Sequence, residues 1–399
     1  MLKSYKLHLL LAIIALQLIS CTNKDKNNSN TIAVDKNENG LPIIQESKVK
    51  YKKLDANYVN SKRAAVENFC DKYWRNQESC LSFLVAQNGQ IIYERYQGYA
   101  NRNKKIKIAK DIPLHIASVS KVITATAVLL LIQDHKIELD QKVNTILKNF
   151  PYPDITIETL LNHRSGLRNY AYFLEDEGVW DLKKTVTNQD VLNLLSEKNI
   201  QLESKPNTRF SYCNTNYALL ALIVEKISGL KFGEAMNEMI FKPLKMKNTF
   251  VFDLERDRKI IAPSYKGNNM ELALDHLDAV YGDKNVYSTP RDMLKFDLAR
   301  NAPTFLNPKL RALVYKGYSN ERKGEKNYGL GIRMLEWDNG QKFYFHNGWW
   351  HGNTSSYIPL MNENVTIIAL SNKFTRNTYA VRKLVPIFGD YPFQFDTED

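Results

Sequence analysis

The longest uninterrupted hydrophobic stretch runs from His115 to Ile132, apolar or small at almost every position, with Lys121 as its only charge. A run with no polar face predicts a helix buried on every side rather than an amphipathic surface helix. Upstream, helical spacing through Ala64, Val66, Phe69 and Tyr73 predicts a helix over 60–74. Two β-rich runs, 82–87 and 90–96, flank Asn88-Gly89, the strongest short signal for a two-residue hairpin turn. From Pro113 to about Asp278 the pattern is mainly helical, with short helices at 156–162 and 188–198 and a longer one at 214–227 that should close at Gly229. Ser288-Thr289-Pro290 places cap residues before a proline and opens a further helix. Strand character returns at 328–334, 341–345, 355–360 and 364–371, and the last element is a helix over 377–387. Strands near both ends with helices between imply an α+β fold, one sheet assembled from distant segments with a helical region inserted. The expected domain is 51–395, with 51–112 and 285–395 supplying the sheet and 113–284 the helices.

The beginning of the chain follows other rules. Lys3 and Lys6 precede an apolar run from Leu7 to Ile19, too short to span a bilayer comfortably and flanked like a secretory signal, giving a signal peptide over 1–20. The stretch ends Leu18-Ile19-Ser20-Cys21. This resembles the lipobox of bacterial lipoproteins, which implies cleavage before Cys21, lipidation of its thiol and anchorage to the cell envelope, periplasm-facing or at the cell surface. The next stretch is rich in Asn, Lys and Asp and reads as a solvated tether over 21–50, with order beginning near Lys50.

Composition narrows the function. With 399 residues, 44% of them hydrophobic, the chain can bury a large core. The formal charge of +12 is carried by scattered lysines with no zinc-finger spacing or other nucleic-acid signature, so attraction to an anionic envelope is the better reading of it. Cys70, Cys80 and Cys213 remain after Cys21. In an oxidising compartment a Cys70–Cys80 disulfide is one expectation and three unpaired buried thiols the other. No metal site is expected, since His346 and His351 are five apart with no evident partner nearby. Nothing in the sequence fixes an oligomeric state.

Candidate chemistry begins with Ser118 and Lys121. Three residues apart on a helix they share a face, and a lysine in an apolar interior is pushed toward the neutral form that can take a proton from a serine hydroxyl. Ser-x-x-Lys alone is weak evidence, as Ser47–Lys50 and Ser228–Lys231 show. Only Ser118 opens a buried helix. Two further stretches add weight. Tyr212 and Asn214 stand two apart where a loop feeds a helix; a phenol near a lysine can share in moving protons, and an asparagine amide can hold both a lysine and a substrate carbonyl. Phe345-His346-Asn347-Gly348-Trp349-Trp350-His351-Gly352 places His and Gly on a strand whose N–H groups can face an oxyanion.

In that order, Ser118-x-x-Lys121, Tyr212-x-Asn214 and His346-Asn347-Gly348 resemble the serine β-lactamase-like hydrolases, which include class C β-lactamases, D-Ala-D-Ala carboxypeptidases, D-amino-acid peptidases and related esterases. Leu160 to Leu167, Pro243 to Met246, Tyr287-Ser288-Thr289 and Tyr328 to Gly331 are similar secondary landmarks. The resemblance covers roughly 55–390 and implies a β-lactamase/transpeptidase-like fold with the site in a groove between sheet and helices. Ser118 would be the nucleophile that forms an acyl-enzyme, with Lys121 and Tyr212 sharing acid–base work. Asn214 would orient Lys121 and bond the substrate, and the N–H groups of Ser118 and Trp349 would form the oxyanion hole. His346 and Gly348 would line the substrate strand. His163 and Ser165 are expected to hold a turn. No cofactor is implied, because serine acyl transfer supplies its own nucleophile and proton shuttle. The expected substrate is a small molecule or a peptidoglycan-derived group cleaved at an ester, amide or D-amino-acid peptide bond. The alternatives are a D,D-carboxypeptidase or β-lactamase proper, and a penicillin- or peptidoglycan-binding lipoprotein without turnover. His346 departs from the lysine of many β-lactamases and, mostly neutral at pH 7, moves weight toward an esterase or peptidase. Of Trp349 and Trp350, either at least one narrows the cleft or both pack into the core.

Overall fold

The computed structural model describes residues 34–76, 78–321 and 324–394. The expected signal peptide and the expected lipidation residue Cys21 therefore lie outside the described residues. Ordered chain begins earlier than the tether expected over 21–50. Lys36 bridges Pro42, Asn37 Oδ1 accepts from the amides of Asn39 and Leu41, and Leu41 and Ile44 are buried, with the Ile44 amide donating to Met239 O. Two apolar side chains inside a polar stretch are enough to dock it, and an average over the stretch hides them.

The first helix, α1 (Ala56–Tyr73), is capped by Asp55. The hairpin strands β1 (Leu81–Gln87) and β2 (Gln90–Gln97) turn through Asn88 and Gly89, both at positive φ, as a tight turn matched to strand twist requires. The helical region holds α2 (Ser120–Gln133), α3 (Asn188–Glu197) and α4 (Asn214–Ser228), the last closed by Gly229 in the left-handed conformation. Then α5 (Pro290–Asn301) starts behind the Thr289 cap. Five strands complete the sheet: β3 (Lys326–Tyr328), β4 (Arg333–Glu336), β5 (Lys342–Trp350), β6 (Asn353–Leu360) and β7 (Val365–Ser371). Their order is β3-β4-β5-β6-β7-β1-β2, and every neighbouring pair is antiparallel. The N-terminal hairpin thus joins the C-terminal strands where Ser82 faces Leu370.

Alternation along β1 sorts its side chains onto two cores. Leu84 and Ala86 join the larger cluster with α2 and α4, while Leu81, Phe83 and Val85 join a smaller one with Val66, Cys70 and Trp74 of the α1 region and Leu384 near the C-terminus. This geometry overturns the expected Cys70–Cys80 disulfide. Cys70 belongs to the smaller cluster and Cys80 to the larger, on opposite faces of the sheet, and Cys70, Cys80 and Cys213 are free and buried. Burial pushes the Cys70 thiol up to about 12.

Two expected elements are broken differently. The strand expected over 328–334 is interrupted between β3 and β4 by a turn at Gly329–Ile332, because Gly331 sits at φ 84° where a Cβ would lie 2.2 Å from Ala125 Cβ of α2. The C-terminal helix is a short α segment, Asn377–Ala380, followed by a 3-10 stretch, Val381–Ile387, that contains Pro386, which lacks the amide an α-helix would use. Among the described residues no helix is long and apolar enough to cross a membrane.

Gly331 gives a direct check on this packing. Gly331→Ala adds a clash and a left-handed alanine at once, and should cost about 2–4 kcal/mol, read as a lower midpoint in denaturant unfolding; a variant as stable as wild type would contradict the close approach of this turn to α2.

Candidate active site

Ser118 stands at the junction of a small sheet and a buried helix. Leu114–His115 pairs with Val286–Ser288, and the chain then makes a 3-10 turn, Ala117–Val119, before α2. Ala117 is held at φ 47°, rare for a residue with a Cβ. The buried His115 ring helps fix it: Nδ1 accepts from the Ala117 amide at 3.0 Å, and Nε2 donates to Asn285 Oδ1 at 3.0 Å. Burial pulls His115 down to about 4, which keeps this donor–acceptor arrangement intact at neutral pH.

As its composition requires, α2 is buried on nearly every side, and Lys121 has no solvent exposure. Ser118 is half-buried. The Lys121 Nζ donates to Ser118 Oγ at 3.1 Å and to the Asp283 carbonyl at 2.7 Å. The segment carrying Asp283 is laced to α2 by two more bonds, Thr124 Oγ1 to Gly282 O at 2.7 Å and Val286 N to Ser120 Oγ at 3.1 Å. The amine is therefore aimed by main chain, with no carboxylate bonded to it among the described residues.

Tyr212 lies across this pair, its ring centroid 5.0 Å from Lys121 Nζ and 4.4 Å from the Arg333 guanidinium carbon. The loop that delivers it is held from beneath. His163 Nδ1 accepts from the Cys213 amide at 3.2 Å and from Asn216 Nδ2 at 3.1 Å, and Ser165 Oγ donates to Asn216 Oδ1 at 2.6 Å. His163 and Ser165 hold this junction, as a structural role requires. Asn214 begins α4, yet it makes no hydrogen bond to Lys121, and its Oδ1 is buried without a partner among the described residues. The lysine-orienting role expected of Asn214 is filled by the Asp283 carbonyl, leaving the amide oxygen available to a ligand.

On the opposite wall, β5 comes against the turn of Ser118. A Cβ on Gly348 would lie 2.8 Å from Ser118 N and 2.7 Å from Ile116 O, so only glycine lets this strand approach the nucleophile's amide so closely. Ser355 Oγ on β6 donates to Ile116 O at 2.6 Å, and Tyr379 Oη donates to Gly348 O at 3.0 Å, fixing strand and turn together. His346 shares the face of β5 that Gly348 turns to Ser118, with its ring centroid 6.4 Å from that of Tyr212. It has no solvent exposure; Nδ1 donates to Asn347 O at 2.9 Å and Nε2 accepts from Tyr328 Oη at 3.2 Å. Burial first, then the charges of Arg333 and Lys121, holds it well below its ordinary value. The imidazole is neutral and committed on both nitrogens, because position 346 falls on the inward face of the strand. The two tryptophans do not both enter the core. Trp349 is 63% exposed, while Trp350 is half-buried with its Nε1 donating to Asp278 Oδ1 at 2.7 Å.

Several site residues were not visible in the sequence. Lys284 is buried, its Nζ bonded to Tyr170 Oη at 2.6 Å, 4.6 Å from the Trp350 ring and 3.6 Å from the Asp283 carboxylate, to which Tyr170 also donates at 2.9 Å. Burial lowers Lys284 from its ordinary value, with the acidic residues opposing. His351, for which the sequence showed no partner, meets Asp278 at 2.9 Å and Asp275 at 3.9 Å. Gly282-Asp283-Lys284-Asn285 has no periodicity to mark it, and its partners lie far away in the chain.

A serine hydroxyl bonded to a buried lysine, under a tyrosine and beside a glycine strand, defines a serine hydrolase site on an α+β fold. The chain belongs to the family described as Beta-lactamase, which matches residues 65–387. It is 28% identical over 309 residues to a penicillin-binding protein of Bacillus subtilis, covering 73% of this chain and 67% of that one. It is also 27% identical over 294 residues to a teichoic acid D-alanine hydrolase of Staphylococcus aureus, covering 71% of each. A penicillin-binding protein from Bacillus halodurans shares the fold with a TM-score of 0.69 at 22% identity, over 81% of this chain and 99% of that one.

The His351–Asp278 pair carries a pH signature. Burial works to lower His351, but the bond and charge of Asp278, with Asp275, raise it above its ordinary value; Asp278 is lowered because the same bond and that of Trp350 outweigh its burial. The raised histidine contributes stability that is complete below about pH 6.5 and fades as pH rises through its folded value, and the lowered carboxylate contributes above about pH 4 and fades below. The melting-temperature gap between wild type and His351→Asn should therefore be widest near pH 5 and narrow at alkaline pH, and a gap constant from pH 5 to 9 would contradict the pair.

Proposed function

We propose that this chain is an exported serine hydrolase that cleaves D-aminoacyl esters, amides or D-amino-acid peptides of the bacterial envelope through an acyl-enzyme on Ser118. The observation that carries the reading is the 3.1 Å bond between Ser118 Oγ and a solvent-excluded Lys121 whose other bond goes to a main-chain carbonyl. The 3.1 Å separation puts the amine within reach of the serine proton, which a neutral Lys121 accepts when Ser118 Oγ–H donates to its lone pair. In this reading Ser118 Oγ attacks the substrate carbonyl while Lys121 accepts its proton. Tyr212, over the amine, shares the return of that proton to the leaving group. The N–H groups of Ser118 and Trp349 receive the oxyanion, a contribution whose loss typically costs about 10²–10³ in rate. The unpartnered Asn214 Oδ1 accepts from the substrate amide or amine. Water then hydrolyses the ester on Ser118 and restores the free hydroxyl.

The likeness to a teichoic acid D-alanine hydrolase supports a D-aminoacyl substrate, and the likeness to penicillin-binding proteins supports an acyl-enzyme with β-lactams. The neutral, internally bonded His346 favours esterase or peptidase action over a β-lactamase that needs a cation for a carboxylate. The same reading includes lipidation at Cys21, which would hold the domain at the membrane surface.

Incubation of the purified protein with a fluorophosphonate, an activated D-alanyl ester and a penicillin, followed by intact-mass measurement, tests the proposal. Wild type should gain one adduct and turn over the ester, and Ser118→Ala should gain none, with ester turnover reduced at least about 10³-fold. Adducts that never turn over would favour a receptor, and unchanged labelling of Ser118→Ala would remove Ser118 as nucleophile.

A further inference from the structure

Nine large hydrophobic side chains are exposed among the described residues, and five of them, Ile106, Met270, Leu274, Trp349 and Phe374, belong to segments gathered around one buried tyrosine. Tyr265 stands in a short hairpin that pairs Ser264–Tyr265 with Glu271–Leu272, and Met270 and Leu274 flank its second strand. The Tyr265 hydroxyl accepts from the Arg102 amide at 3.0 Å, in the turn of another hairpin, Tyr99–Asn101 with Ile106–Lys107. Its carbonyl accepts from the Phe374 amide at 2.9 Å, and its own amide donates to Asn372 O at 2.8 Å. The two hairpins also meet directly, where Asn103 Nδ2 donates to Glu271 Oε2 at 3.0 Å. Trp349 joins from β5, its ring 6.2 Å from that of Phe374, edge to face. Exposed apolar residues scattered singly need no partner, whereas a cluster held on bonded segments marks a surface that something covers.

The same hairpins are basic. Lys104, Lys105, Lys107 and Lys266 are exposed on them, and none forms an ion pair among the described residues. A soluble polyanion would meet these lysines and leave the rings in water. A second copy of this chain would bring like charges face to face. An anionic lipid surface meets both needs, since aromatic rings settle at headgroup level while lysines reach the phosphates. We propose that this face docks on an anionic lipid membrane, with Trp349 and Phe374 inserted at the headgroup boundary and the lysines around them. Docking would set the mouth of the site at the membrane surface, because Trp349 also supplies an amide assigned above to the oxyanion. The proposal rests on the envelope reading only for the presence of a membrane, and docking requires no turnover.

The test uses the full-length protein floated with vesicles of phosphatidylcholine and phosphatidylglycerol whose acyl chains carry bromine, a short-range quencher of tryptophan emission. Wild type should be quenched, and Trp349→Phe should lose that quenched component, whichever way the N-terminal segment holds the chain. Ile106→Ser with Met270→Ser, both at exposed positions, should melt like wild type and hydrolyse a small soluble D-alanyl ester at the wild-type rate. That variant, and Lys104→Glu with Lys105→Glu, should each show quenching reduced at least about twofold. Quenching unchanged in Trp349→Phe, equal quenching on phosphatidylcholine alone, or a protein that does not float with anionic vesicles would each overturn the proposal. An unquenched Trp349 in a chain that sediments as a dimer, with Ile106→Ser and Met270→Ser dissociating it, would overturn it in favour of a second copy. If wild type fails on the soluble ester while Trp349 is quenched, the docking face stands and the acyl-transfer reading falls.

Discussion

The bond from Lys121 to Ser118 depends on a lysine with no access to water, and much of the architecture exists to make that burial possible. An amine inside a protein must have its donors met, and a carboxylate partner would hold the proton on it. Here the Asp283 carbonyl meets one donor and the serine another, with tyrosine rings on the flank. A main-chain acceptor aims the amine at the serine hydroxyl. For that carbonyl to sit over Lys121, the segment 282–286 has to be pinned to α2, which the bonds of Thr124 and Ser120 accomplish. The apolar circumference of α2 follows from the same need, because a polar face would bring water to the lysine.

The second constraint is proximity. The nucleophile's amide and β5 meet because Gly348 has no side chain, and Ala117 is held in a left-handed conformation by a histidine that burial keeps neutral. Ala117 and the close approach of Gly348 both lie beside Ser118 and are supported by packed elements on each side.

What the sequence made legible was local. The Asn88-Gly89 hairpin, the Thr289 cap and the Gly229 stop are each specified by residues a few positions apart, and they form as expected. Ser118 and Lys121 were visible because the helix places them on one face. Asp283 was not, since the residue it aims stands 162 positions away, and neither was its bond to Tyr170, 113 positions away. The two cysteines illustrate the opposite error. An oxidising compartment allowed a disulfide, but one side of the sheet claims Cys70 and the other Cys80. His346 was legible as a strand residue, but its burial and its bond to Tyr328, 18 positions away, were not.

The most direct test of the account is the acylation rate of Lys121→Arg, followed by intact mass with a fluorophosphonate or activated ester alongside its thermal melt. An arginine keeps the positive charge but cannot give up its proton. The account predicts a folded protein whose acylation falls by at least about 10²-fold. An arginine variant that acylates at close to the wild-type rate would contradict it and remove Lys121 from the proton transfer.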